Sequence, residues 1–123
     1  MGITNVTLEI GNPADPSKKI KGEFLVDSGA HYTVLPRSYV KKLGLKPSFN
    51  QKFSLADGKI IERPIGSALI KFENKEGAVM VVLGKKEDSA LLGVTTLEAF
   101  GLMIDPFKRQ IYHSKLMLGK ITT

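Results

Sequence analysis

The 123-residue sequence has no cysteine and only two histidines, His31 and His113. The lack of cysteine excludes disulfides and thiolate metal sites, and nothing calls for an oxidising compartment. A zinc site built on two histidines would need added carboxylates, and no ligand spacing supplies them, so no metal or other cofactor is expected. Long apolar runs are missing too; none approaches the ~20 residues of a membrane span. Residues 1–6 lack the form of a signal peptide. Val6 stands where a myristoylation signal wants Ser or Thr. Asn5-Val6-Thr7 matches a glycosylation sequon, which means little without a secretion signal. The expectation is a cytoplasmic protein with no membrane partner. There is no linker and no low-complexity segment, so residues 1–123 are read as one domain.

Hydrophobic residues make up 42% of the chain, which is ordinary for a globular protein large enough to bury a core. The formal net charge is +6. Its lysines come in scattered pairs (Lys18-Lys19, Lys41-Lys42, Lys85-Lys86) with acids between them, the pattern of solvated faces. No basic stripe interleaved with aromatics appears, so no nucleic-acid partner is expected.

Chemistry concentrates in Phe24-Leu25-Val26-Asp27-Ser28-Gly29-Ala30. Three strand-favouring apolar residues deliver an acid into a turn, and Ala30 to Leu35 becomes apolar again. An acid between two buried strands is costly unless it is hydrogen-bonded or shares a proton. Ser28 brings a hydroxyl, and Gly29 allows close backbone approach. An Asp-Ser-Gly turn at a strand end would look the same locally.

Around this stretch the pattern is mostly strands. Val6, Leu8 and Ile10 alternate with polar residues; residues 11–16 form a turn cluster; Ile20 to Val26 leads to the acid; Thr33 to Leu35 follows. Pro36 opens a short helix that Gly44 stops. Phe49 to Ala56 and Lys59 to Ile61 form a hairpin about Asp57-Gly58, whose second arm can extend through Pro64 where that residue falls at an edge or bulge. Ser67 to Phe72 and Ala78 to Leu83 pair through the turn at residues 73–77. Gly84 to Asp88 is a charged loop, and Asp88 is read as a surface acid. Ala90 to Gly93 is apolar, and Thr95 with Glu98 fits a capping box opening a helix that stops at Gly101. Leu102 to Asp105 and Gln110 to His113 are strands about a turn at Pro106 to Arg109. The tail, Lys115 to Thr123, would add a strand only beside a partner. Two short helices among many strands argue for a closed or sandwiched β architecture. Two stretches also rhyme: residues 24–29 with a helix ending Leu43-Gly44-Leu45, and residues 90–93 with a helix ending Phe100-Gly101-Leu102. Such a repeat implies two similar halves about a pseudo-twofold axis, only one carrying the acid.

Phe24 to Ala30 followed by Thr33-Val34-Leu35, the Asp57-Gly58 hairpin, and Ala90-Leu91-Leu92-Gly93 before a helix resemble, in order, the signatures of retropepsin-like aspartic proteases. Leu102 to Pro106 resembles the next strand of cellular and prokaryotic relatives. Ser28 replaces the more usual Thr and keeps the hydroxyl; His31 and Tyr32 stand where viral enzymes often carry an acid; the hairpin lacks a glycine-rich tip. The resemblance implies a mainly β, single-domain closed barrel of the acid protease fold. It implies an aspartic endopeptidase whose catalytic Asp27 is supported by Ser28 and Gly29. Substrate contacts would come from Ala30, from the flap at Asp57 and Gly58, and from Leu92 and Gly93. One chain supplies one such acid, whereas this chemistry needs two carboxylates sharing a proton. The expected partners are therefore a second copy, as a C2 homodimer, and an extended polypeptide. The competing reading is a weak or inactive module of the same shape that dimerises or grips peptides.

Overall fold

A computed structural model of the chain describes residues 4–105 and 107–120. Along β1 (Thr4–Asn12) Leu8 and Ile10 point inward, and along β2 (Asp15–Val26) so do Phe24 and Val26. Lys19, Lys21 and Glu23 alternate with them and face solvent, as period-two patterning requires. All three lysine pairs are exposed. β2 begins earlier than the sequence suggests. The turn narrows to Pro13-Ala14, where Asn12 Oδ1 accepts the Ala14 N–H at 2.8 Å, and a register shift between Gly11 and Asn12 takes up the odd residue.

The chain continues through β3 (Thr33–Leu35), α1 (Arg37–Leu43), β4 (Phe49–Ser54), β5 (Ile60–Phe72), β6 (Lys75–Leu83), β7 (Leu91–Leu92), α2 (Val94–Ala99), β8 (Leu102–Asp105) and β9 (Gln110–His113). Seven strands form one sheet in the order β1-β2-β7-β3-β6-β5-β4. A further antiparallel pairing, centred on Ile10 opposite Ile70, joins β1 to β5. The sheet therefore curls back on itself around Leu8, Ile10, Phe24, Val26, Leu35, Ala68, Ile70, Val81 and Leu92, all at most 2% exposed. The barrel is only partly closed, because β4 extends beyond that seam and β8 pairs with β9 in a separate small sheet.

Two elements, β5 and α2, differ from the sequence reading. β5 is one strand of 13 residues running through Pro64. Pro64 pairs with Asn50 of β4, and pairing with β6 begins only at Ile65 opposite Val82. The missing N–H thus falls where a second neighbour has not yet joined. α2 starts at Val94 with Gly93 as its N-cap, and the capping box of Thr95 and Glu98 does not form. Its free N–H groups are met from another element: Val94 and Thr95 donate to the Ala30 and His31 carbonyls, both at 2.9 Å. Residues 114–120 of the tail form no strand, and Leu116, Met117 and Leu118 are 69%, 90% and 75% exposed. Its last residues, 121–123, lie outside the described residues, as do Pro106 and residues 1–3.

Local chemistry elsewhere acts as written. Both rhyming helices stop at a glycine in the left-handed region, Gly44 at φ 66° and Gly101 at φ 70°. Their preceding strands lie side by side in parallel, Leu25 opposite Leu91 and Val26 opposite Leu92. Asp105 Oδ1 accepts the N–H groups of Phe107 and Lys108 at 2.9 and 3.2 Å, which accounts for that acid as a turn former. Among the described residues no helix is long and apolar enough to cross a membrane.

Candidate active site

Val26 is fully buried, so β2 brings Asp27 to the rim of the core. β7 lies between β2 and β3, parallel to the first and antiparallel to the second. The loop from Asp27 to Tyr32 must then arch over the end of β7. It is pinned there by the Asp27 N–H on the Leu92 carbonyl at 3.2 Å and by the Ala30 N–H on the Asp27 carbonyl at 3.0 Å. The Asp27 carboxylate is half-buried, and its Oδ1 accepts the Gly29 N–H at 2.8 Å. Ser28 and Gly29 are exposed.

Beneath the loop the packing leaves no room for a side chain. A Cβ on Gly93 would lie 2.3 Å from the Tyr32 carbonyl carbon and 2.7 Å from the Thr33 nitrogen. The Gly93 N–H donates to Thr33 Oγ1 at 3.0 Å, and the Thr33 and Thr96 hydroxyls share a hydrogen bond of 2.6 Å. Both threonines are almost wholly buried, at 0% and 1% exposed. Two polar side chains inside an apolar core are thus satisfied by each other and by one backbone donor. Leu92 and Gly93 are likewise buried. Their place is under the Asp27 loop, outside the lining of the cavity beside it.

That cavity, of about 330 Å³, lies beside the loop. Gly29, Ala30, His31 and Tyr32 form one side; Phe53, Ser54, Leu55, Ile61 and Arg63, from the arms of the hairpin, form another. Val34, Val82 and Leu91 contribute apolar surface, and Asp88 and Ser89 complete the wall. Asp57 and Gly58 stand at the exposed hairpin tip outside the lining, with Asp57 Oδ1 accepting the Lys59 N–H at 2.9 Å and Gly58 at φ 85°. Of the residues singled out from sequence, the structure therefore brings Gly29 and Ala30 to the cavity, with Asp27 next to them. It sets Leu92 and Gly93 below, and Asp57 and Gly58 at the tip.

Five lining residues carry interactions that sequence reading missed. Tyr32 meets Phe53 edge-on, with ring centroids 6.0 Å apart, and His31 meets Tyr32 in the same way at 4.9 Å. These contacts link the Asp27 loop to the hairpin. Across the cavity Arg63 grips Asp88, with Nε to Oδ2 at 2.9 Å and Nη2 to Oδ1 at 3.3 Å. Asp88 Oδ2 also accepts the Lys85 N–H at 2.7 Å. The Arg63 hydrogen bond holds the Asp88 carboxyl below the usual carboxylate range, against the opposing effect of partial burial. The same bond raises Arg63. Asp88 is thus a paired acid in the cavity wall rather than a solvated surface charge. The pair spans 25 residues, so no local motif announces it. The one available signal was a single acid abutting an apolar run. Among the described residues no group of three His, Asp or Glu side chains gathers to hold a metal ion.

A family model described as gag-polyprotein putative aspartyl protease matches residues 18–99. The chain belongs to that family. The match spans both the Asp27 loop and the strand and helix, β7 and α2, that support it. Among solved structures, the chain is similar to EIAV protease complexed with the inhibitor HBY-793. Identity is 17%, over 94% of this chain and 92% of that one, at a TM-score of 0.60, a likeness of fold. It is also matched to a retropepsin-like aspartic protease from Rickettsia conorii at 20% identity, over 84% of this chain and 86% of that one, with a TM-score of 0.49. No curated protein matches the chain. The retropepsin-like architecture expected from the Asp27 and Gly93 signatures is the one the chain adopts.

Proposed function

We propose that this family member is an aspartic endopeptidase that works as a C2 homodimer, with residues 1–123 acting as one domain. The observation that carries the reading is the Asp27 carboxylate. It stands half-exposed at the end of a buried strand, held by the Gly29 N–H and beside a cavity roofed by a hairpin. One carboxylate is half of the chemistry. Two Asp27 groups meeting at a twofold axis cannot both ionise easily, so one keeps a proton. The ionised one takes a proton from a water lying between them, and that water attacks the peptide carbonyl. The protonated one donates to the carbonyl oxygen. The Gly29 N–H holds the Asp27 carboxylate, and the hydroxyl of Ser28, exposed on the same loop, braces the loop against its counterpart. Leu92 and Gly93 support the loop from below. Substrate enters as an extended strand along Gly29 and Ala30, under the hairpin arms, with the tip at Asp57 and Gly58 closing over it.

Exposed apolar surface supports a second copy. Met103 and Tyr112 of the small sheet are 47% and 46% exposed, and the tail residues Leu116 to Met117 more so. Such a patch is typical of surface that a partner covers. The test is paired incubation of the protein and its Asp27→Asn variant with an unstructured peptide pool from about pH 3 to about pH 7, read by mass spectrometry. Cleavage by the parent alone is expected. If both proteins are folded dimers and neither cuts, the chain is a peptide-gripping or dimerising module.

A further inference from the structure

The cavity is not uniformly apolar. Val34, Ile61, Val82 and Leu91 make its body, yet one wall carries a guanidinium and a carboxylate. The side chains of Arg63 and Asp88 are only 13% and 25% exposed. A charge so placed is costly unless paired, and the fork between Arg63 and Asp88 meets that need. It does not use the whole guanidinium. Arginine has five N–H donors. Three are engaged, two on Asp88 and one, from Nη1, on the Glu62 carbonyl at 3.1 Å. Two have no partner among the described residues. Asp88 Oδ2 already takes two bonds, from Arg63 and from the Lys85 N–H, while Oδ1 takes one. Ser89 adds a hydroxyl to the same lining.

We infer that the Arg63–Asp88 pair makes this cavity a subsite for an uncharged amide side chain, glutamine or asparagine. The inference rests on the reading of the cavity as the place where a peptide binds. An amide offers its carbonyl oxygen to the spare Arg63 donors and its NH₂ to Asp88 Oδ1 or to Ser89, while the apolar walls pack its stem. A carboxylate would compete with Asp88 for Arg63, and an ammonium would compete with Arg63 for Asp88. Either brings a third charge beside a pair that is already neutral, with desolvation uncompensated. A wholly apolar side chain would leave the donors without partners.

The Asp27→Asn protein, which retains peptides uncut, is immobilised and exposed to a randomised peptide pool. The retained peptides are then sequenced by mass spectrometry. Glutamine and asparagine should be enriched at one position over both leucine and glutamate. Adding Arg63→Leu with Asp88→Asn removes both charges together and leaves an acceptor for the Lys85 N–H. The enrichment should then fall about tenfold, the equivalent of one charge-assisted hydrogen bond. Arg63→Lys keeps the charge but loses the fork, and should lower the enrichment several-fold. If the double variant does not fold, the Arg63→Lys profile decides alone. An unchanged profile in a folded variant overturns the inference, and so does a pool from which nothing is retained. Failure of the protease reading looks different: the parent would retain the same amide-bearing peptides and leave them intact.

Discussion

Replacing Gly93 by alanine tests whether the Asp27 loop is built on β7 as described. The new Cβ would stand 2.3 Å from the Tyr32 carbonyl carbon and 2.4 Å from its oxygen. That is about 1 Å shorter than any ordinary carbon contact. Both obstacles are backbone, so no side chain can rotate away, and the loop must lift. Three hydrogen bonds cross the same seam: Gly93 N–H to Thr33 Oγ1 at 3.0 Å, Val94 N–H to the Ala30 carbonyl at 2.9 Å, and Thr95 N–H to the His31 carbonyl at 2.9 Å. Overpacking costs about 1–3 kcal/mol, and the loss of each hydrogen bond about 1 kcal/mol. The expected total is about 4–6 kcal/mol, a large share of the 5–15 kcal/mol or so that stabilises an ordinary domain. Urea denaturation followed by circular dichroism should show it, with a fall in melting temperature of about 10–20 °C. Gly58→Ala is the control. It lies at φ 85° with nothing within 4 Å of a new Cβ, so only the backbone penalty of about 1 kcal/mol applies. A Gly93→Ala protein no less stable than Gly58→Ala would refute the packing of the loop on β7.

Thr33→Val should cost about 2–4 kcal/mol, because it strands the buried Gly93 N–H and the Thr96 hydroxyl together. Combining it with Thr96→Val should cost less than the sum of the two single changes, as chemical denaturation of all three variants would read. The Arg63–Asp88 pair sets an acid dependence. Asp88 is held below its unfolded value of about 3.9, so its contribution is complete above that value and is lost as pH falls through the folded pKa. From about pH 5 down to about pH 2.5 the parent should lose more thermal stability than the Arg63→Leu/Asp88→Asn variant. Parallel melting curves over that range would contradict it.

What could be read from sequence was what short-range chemistry decides. Asp57-Gly58 formed its hairpin because the turn residues themselves set the backbone, and Gly44 and Gly101 ended their helices for the same reason. Asp105 bent the chain with its own side chain. The acid at Asp27 was legible because apolar strands on either side leave it nowhere else to go. What escaped notice depends on partners far along the chain. α2 begins at Val94 because carbonyls at Ala30 and His31 cap it, some sixty residues upstream, and the tempting capping box at Thr95 was overruled. β5 runs on from Pro64 into residues 67–72 as one strand because of where β6 joins. The Gly93 motif was recognisable, but its purpose, to let backbone pass under the loop, shows only in the contact with Tyr32. Asp88 looked like one more charge in a charged loop until Arg63 reached it from another strand.

The central claim is that each active site takes one Asp27 from each of two chains. Mixing parent and Asp27→Asn subunits at constant total concentration, after exchange has equilibrated, tests it directly. Because a dimer with a single Asp27 lacks the shared proton, activity should follow the square of the parent fraction, about a quarter of the full rate in an equal mixture. A rate of about one half, linear in the parent fraction, would mean that each chain cuts alone, and the half-site account would be wrong.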